Sequence, residues 1–309
     1  MVDAVVWDIG YLVSAALFIM GIKKLSSPRT APDGNKMGAQ GMLLAVLVTL
    51  GKMYTDGIIG YELIVGGLAL GSLIGWWMAV RVEMTGMPEL VALFNGFGGA
   101  ASALVGLSEV LSRLQSGNVP EPGVELYAIW VAIGLSGLVG WLTLTGSLMA
   151  MGKLMGGFYI PFTKKDSRGR RKWVNFPTWG PPWLNIVKVA MLFVSLSLVV
   201  LTIQEPTNTD YIYGLVASSC LLGILFVLPI GGADMPVVVS LLNSMSGIAA
   251  AFTGFVIGNN VLIIAGSMVG AAGLILTFIM CKAMNRTLPA VLFKSFGGSG
   301  RETVTRTKV

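Results

Sequence analysis

Hydrophobic residues fall in long blocks along this chain, and polar residues gather between them. A helix needs about 20 mostly apolar residues to cross the hydrocarbon layer of a bilayer. Nine stretches meet that length, at roughly 5–22, 37–54, 58–80, 87–112, 125–151, 184–203, 211–230, 234–257 and 260–281. Charged residues, proline or Gly-Asn breaks bound each of them. A membrane barrel would instead alternate in strands of about ten residues. The pattern therefore predicts helices, which pair every backbone polar group within their own span. The expected fold class is an all-α integral membrane protein, a bundle of about nine transmembrane helices. It divides into a transmembrane domain over 1–285 and a cytoplasmic tail or linker over 286–309.

Composition narrows the class. Of 309 residues, 54% are hydrophobic and 12% charged, with a mean hydropathy of +0.78. A soluble domain carries about 25% charge, so most soluble folds are excluded. The 41 glycines lie largely inside apolar stretches, a habit of helices packed closely in membranes. Two cysteines, Cys220 and Cys281, form no CxxC motif, and no disulfide framework or Cys-based zinc site is expected of them. Histidine is absent, which excludes a histidine base, ligand or proton relay within this chain. No metal site and no catalytic residue is predicted. The opening Met1-Val2-Asp3 lacks the positive region of a secretory signal, so the first span is expected to be retained.

Charge gives an orientation. Nineteen of the 21 Lys and Arg residues fall on one side, eighteen of them in alternate connections or after the ninth span and Lys188 just inside span six beside the long connection; only Lys52 and Arg113 fall on the opposite side. The positive-inside rule then puts the N-terminus outside and the C-terminus in the cytoplasm. It also accounts for the +6 net charge without nucleic acid. The long basic connection at about 153–183 contains TKKDSRGRRKW, with Trp173, Trp179, Trp183, Pro177, Pro181 and Pro182 beside it. It reads as an anchor on anionic lipid or as a docking site for a soluble partner.

Spans four and eight repeat one another. Met87-Pro88 through Asn95 aligns with Met235-Pro236 through Asn243, and Gly99, Ala101, Ala103 and Gly106 align with Gly247, Ala249, Ala251 and Gly254, at a constant offset of 148. Proline suits a helix start, where its missing N–H needs no partner. In span four, Glu89, Ala92, Asn95, Gly99, Ser102, Gly106 and Glu109 recur at helical spacing; in span eight, Ser240, Asn243, Ser244, Gly247, Ala251 and Gly254 do so. Such stripes are expected to look into the bundle. They read either as small-residue packing with polar cross-links or as the lining of an ion path. Asn95 and Asn243 favour the path. An amide donates and accepts but does not ionise, so it holds a water or gates a proton without taking it. Thr143, Thr145 and Ser147 in span five, with Gly266, Ser267, Gly270, Gly273 and Thr277 in span nine, extend the set. Glu89 stands in a first helical turn, Asp234 is expected to be an N-cap, and Arg286 is expected to cap span nine or meet Asp234 and Glu89 at the cytoplasmic mouth.

At these residues the chain resembles a known family. MPELVALFNGFGGAASALVG (87–106), GGADMPVVVSLLNSMSGIAAAFTG (231–254) and CKAMNRTLPAVLFKSFGG (281–298) are similar to the beta subunit of the proton-translocating NAD(P) transhydrogenase. The resemblance extends from the first span to about residue 298, and nine spans is the number in that family. It implies a proton-translocating membrane subunit that couples inward proton flow to hydride transfer from NADH to NADP+ on partner domains. It implies NAD(H) on an alpha-type subunit with its own membrane helices, NADP(H) on a further domain, a dimer of protomers, and residence in the cell (inner) membrane. The positions matching family functional residues are Glu89, Asn95, Asp234, Asn243 and Arg286; with Ser240 and Ser244 from the polar stripe of span eight, the expected proton path is Asn95, Asn243, Ser240, Ser244 and Glu89, and Asp234 and Arg286 are expected at the cytoplasmic mouth. Some members carry a relay histidine where this chain has Asn95. Others have Asn there and a histidine on an alpha-type helix. This chain follows the second pattern, which places the ionisable relay on another polypeptide.

The usual beta subunit continues past the Gly-Gly segment into a Rossmann-like NADP(H) domain, whereas only eleven residues follow Gly298 here. The glycines of GFGGAAS (96–102) lie inside a span and not in a strand-to-helix turn. The expectation is that the NADP(H) domain is a separate chain or was removed, and that this chain alone binds no cofactor and transfers no hydride. Two rival readings are a stand-alone ion or small-solute transporter and a membrane anchor that recruits another dehydrogenase through the basic connection.

Overall fold

The computed structural model describes residues 2–55, 57, 60–116, 124–156, 158–159, 173–174 and 180–293. Its helices are α1 (Val2–Leu25), α2 (Ala31–Thr55), α3 (Tyr61–Arg81), α4 (Met87–Ser116), α5 (Val124–Leu154), α6 (Trp183–Gln204), α7 (Thr209–Val227), α8 (Met235–Val256), α9 (Asn260–Ala283) and the short α10 (Leu288–Leu292). Among the described residues, nine helices are long and apolar enough to cross a membrane, and each coincides with one predicted span. A two-residue antiparallel ladder pairs Phe158–Tyr159 with Trp173–Val174. The basic run at 163–172, with Pro177 and Trp179, lies outside the described residues.

Helix ends differ from the hydrophobic boundaries for local reasons. α2 begins at Ala31, ahead of its apolar run, because Pro32 sits in a first turn that has no use for its N–H and Asp33 favours the positive end of the helix. α7 stops at Val227 because Pro229 follows. α8 and α9 are joined by a tight turn. Gly258 takes a positive φ of 65°, the Asn259 amide donates back to the Gly254 carbonyl at 2.8 Å, and the Asn259 side chain caps α9 by accepting from the Leu262 amide.

The internal repeat extends into the backbone. A single 3-10 turn precedes α4 at Met84–Gly86, and another precedes α8 at Gly232–Asp234, again 148 residues apart. α4 and α8 run parallel, and α5 runs antiparallel beside α4. α4, α5, α7, α8 and α9 pack as the centre of the bundle, with α6 against α7 and α1 paired with α2. Helix α3 buries none of its residues against the rest of the described chain.

Glycine sets the closest seams. A Cβ on Gly247 would lie 2.5 Å from the Gly270 backbone nitrogen, and one on Gly140 would lie 2.6 Å from the Gly99 carbonyl oxygen. Replacing Gly247 by alanine is therefore expected to destabilise the bundle by about 1–3 kcal/mol through overpacking. Gly98→Ala, which meets no atom within 4 Å, should leave stability unchanged or raised. Thermal unfolding of the two variants in one detergent checks the contrast.

Candidate functional site

Asn95 is buried where α4, α5 and α8 meet. Its Nδ2 donates to Ser147 Oγ on α5 at 3.0 Å, and its Oδ1 accepts from Ser246 Oγ on α8 at 2.6 Å. Ser246 Oγ also lies 2.8 Å from the Asn243 backbone carbonyl, one turn back along α8. One amide thus ties three helices through both of its polar ends. Gly96 makes this possible: a Cβ there would meet Ser147 Cβ at 3.1 Å, so α5 approaches closely enough for a short side chain to reach.

A second node lies two turns further along α4 and α8. The Ser102 carbonyl accepts from Ser136 Oγ and from Thr253 Oγ1, each at 3.2 Å, and the two hydroxyls are 2.7 Å apart. Seven residues separate the nodes on both α4 and α8, about 10 Å of helix axis. Polar groups at two depths therefore line one three-helix seam.

The serines of α8 divide between two faces. Ser240 Oγ donates to the Gly273 carbonyl at 3.1 Å and lies 3.1 Å from Thr277 Oγ1, while Ser244 Oγ donates to the Gly270 carbonyl at 2.6 Å. Both belong to the α8–α9 seam, as do Gly247, Ala251 and Gly254. The single predicted stripe on α8 is thus two stripes. Ser246 and Thr253 turn towards α4 and α5; Ser240, Ser244 and the smaller residues turn towards α9. Helical spacing of three and four residues allowed both assignments, and only the neighbours separate them. The α5 set divides likewise: Ser147 meets Asn95, Thr143 lies against Gly99, and Thr145 donates to the Cys220 carbonyl on α7 at 2.8 Å. Asn243 is half-buried, and none of its side-chain atoms is hydrogen-bonded among the described residues.

At the other end of α8 stands an ion pair. Asp234, buried at the helix start, lies 3.4 Å from Arg286 Nε. Asp234 occupies the expected N-cap position of α8, but not as a side-chain cap. Asp234 has helical backbone angles and its side chain makes no capping hydrogen bond; the carboxylate turns to the cation instead. The contact is close enough for Coulombic attraction but is not aligned as a hydrogen bond, and Oδ1 has no hydrogen-bond partner among the described residues. Glu89 is half-buried in the first turn of α4 and forms no ion pair among the described residues, so the structure brings Arg286 to Asp234 and not to Glu89.

The end of α9 explains how Arg286 arrives there. The Arg286 amide donates to the Cys281 carbonyl at 2.9 Å and the Asn285 amide to the Lys282 carbonyl at 3.1 Å. Asn285 takes a φ of 52°. This is the Schellman arrangement, with asparagine in the left-handed position that it tolerates better than most residues. It reverses the chain and swings Arg286 over the start of α8. A cavity of about 460 Å³ opens beside it, lined in part by Phe278, Lys282, Asn285 and Thr287.

The family model for the NAD(P) transhydrogenase beta subunit matches residues 7–309. Two relatives, each called NAD(P) transhydrogenase subunit beta and coming from Rhodospirillum rubrum and from a defined strain of that species, are each 40% identical over 290 residues. The chain belongs to the NAD(P) transhydrogenase beta subunit family. The match covers 94% of this chain and 58% of each relative, so the chain spans little more than half the length of the beta subunits it matches.

Within this beta-subunit chain, Ser246, Ser136 and Thr253 complete the two nodes and were missed by the sequence reading. A signal for two of them existed: Asn243, Ser246 and Thr253 recur at spacings of three and seven. The repeat alignment drew attention to Asn95 opposite Asn243, whereas Asn95 bonds one turn further along, to Ser246.

The Asn285 turn is open to a direct test. Asn285→Gly should leave the fold intact, while Asn285→Val should destabilise the turn by about 1–2 kcal/mol, the penalty for a branched side chain at positive φ. Thermal unfolding together with hydrogen exchange at Arg286 would detect the difference.

Proposed function

We propose that this chain is the proton-translocating membrane part of an NAD(P) transhydrogenase, coupling inward proton flow to hydride transfer from NADH to NADP+ on partner domains. The observation that carries the reading is the Asn95 amide, buried and bonded to hydroxyls of two other helices. Family membership supports it. The partners would be an alpha-type subunit with an NAD(H) domain and membrane helices, and an NADP(H) domain docking near Asp234 and Arg286. The chain would lie in the cell membrane with its C-terminus in the cytoplasm, and protomers would pair as dimers.

Asn95 acts as a latch. Its amide cannot ionise, so a proton does not pass through it by dissociation. With both ends bonded to Ser147 and Ser246, the seam is drawn shut between α4, α5 and α8. Releasing either hydroxyl frees a donor and an acceptor for water, and the hydroxyls then supply further hydrogen-bond steps towards Asn243. The ionisable relay is brought by a partner helix. Docking at the cytoplasmic mouth shifts the Asp234–Arg286 pair and thereby the start of α8, which carries Ser246. Coupling then arises because the docked domain binds the open and closed seams with different affinity.

Two experiments test this. In proteoliposomes holding the assembled enzyme, Asn95→Leu and Asn243→Leu should each lower hydride-linked proton pumping by about tenfold or more, equivalent to about 1.4 kcal/mol of lost coupling. Pumping at the unsubstituted rate in both variants would exclude the path. Cysteines placed singly at residue 30 and at residue 207 should label from the cytoplasmic and the outer side respectively, and the reverse pattern would overturn the orientation.

A further inference from the structure

Two lysines that read as free cytoplasmic charges are turned into the protein. Lys153, in the last turn of α5, donates to the carbonyls of Val227, Leu228 and Ile230 at 3.0, 2.5 and 2.8 Å. These carbonyls close α7 and open the connection that leads to Asp234. Lys188, near the start of α6, is only 4% exposed. It donates to the Leu292 carbonyl at 3.0 Å and lies 6.0 Å from the Phe293 ring. Asn185, one turn earlier, donates to the Phe293 carbonyl at 2.9 Å. These contacts hold the end of α10, which follows Arg286. Val291 of α10 is buried among Val227, Ile230, Met235 and Cys281, so the start of the predicted tail is part of the bundle.

Among the described residues, neither lysine has a carboxylate within 4.0 Å. A buried ammonium group needs hydrogen-bond acceptors to remain there, and the last carbonyls of a helix supply them at its negative end. Each lysine therefore pins the backbone on one side of the Asp234–Arg286 pair. The pair itself, at 3.4 Å and poorly aligned, does little to hold those segments.

We infer that Lys153 and Lys188 are positioning residues for the Asp234–Arg286 ion pair: Lys153 fixes the segment entering Asp234, and Lys188 fixes the segment leaving Arg286. Deepening the proton-coupling reading and resting on it, the inference makes these two clamps the rigid frame through which docking at the mouth reaches α8 and α9.

The test uses the assembled enzyme in proteoliposomes. Lys153→Met should speed amide exchange over residues 227–234, and Lys188→Met over residues 287–293, each by about tenfold as local opening becomes easier. Each should also reduce the acceleration of hydride transfer by an imposed proton gradient about fivefold, while Lys→Arg at either position should remain within about twofold of the unsubstituted enzyme. In an Arg286→Met background, either Met substitution should add less than about twofold to the loss, because the residues act through one pair. Unchanged exchange in both Met variants, or fully additive losses in the Arg286→Met background, would overturn the inference. Should Lys188→Met fail to assemble, Asn185→Ala removes the adjacent tie alone and should still speed exchange over 287–293; no change there would count against the clamp. An unsubstituted enzyme indifferent to the gradient would instead sink the proton-coupling reading, and the exchange rates would still decide whether the lysines hold their segments.

Discussion

Close approach of helix backbones is the constraint on which the rest of this bundle depends. Lipid offers no hydrogen-bond partner to a polar side chain, and serine, threonine and asparagine are short. They find partners on another helix only where the backbones nearly touch. Gly96, Gly99 and Gly140 bring α4 and α5 together, and Gly247, Gly266, Gly270 and Gly273 do the same for α8 and α9. Without those glycines, the hydroxyls of Ser147, Ser240 and Ser244 would turn back on their own helices.

That closeness gives α8 an unusual position. One flank is stitched to α9 by Ser240 and Ser244, while the other reaches α4 and α5 through Ser246 and Thr253. At its start lies Asp234, held beside Arg286 by the turn that ends α9. The contacts to α9 are made from one flank of α8 and the contacts to Asn95 and Ser102 from the opposite flank.

The two relatives are longer than this chain, which spans 58% of each. At the end of the bundle that carries the ion pair, the backbone is braced by side chains. Lys153, Lys188 and Asn185 all direct their donors at backbone carbonyls near the ion pair. Charge at this end of the bundle serves internal geometry.

Hydrophobic length and charge were enough to locate the nine spans found among the described residues, since a membrane helix satisfies its backbone locally and must be apolar over a set distance. The repeat at 148 residues, the proline helix starts and the burial of Asn95 were also legible, because they follow from helix geometry and the avoidance of polar contact with lipid. Which flank of α8 faced which neighbour was not. Residues spaced by three and by four lie at slightly different angles, and a stripe of mixed spacing fits one wide face or two narrow ones until the neighbours are placed. The pairing of Asn95 with Ser246 and the inward lysines were decided by tertiary structure alone, as was the choice of Asp234 over Glu89 among the partners that the sequence offered Arg286. Each depends on a partner many residues away, brought within about 3 Å by packing that no local spacing encodes.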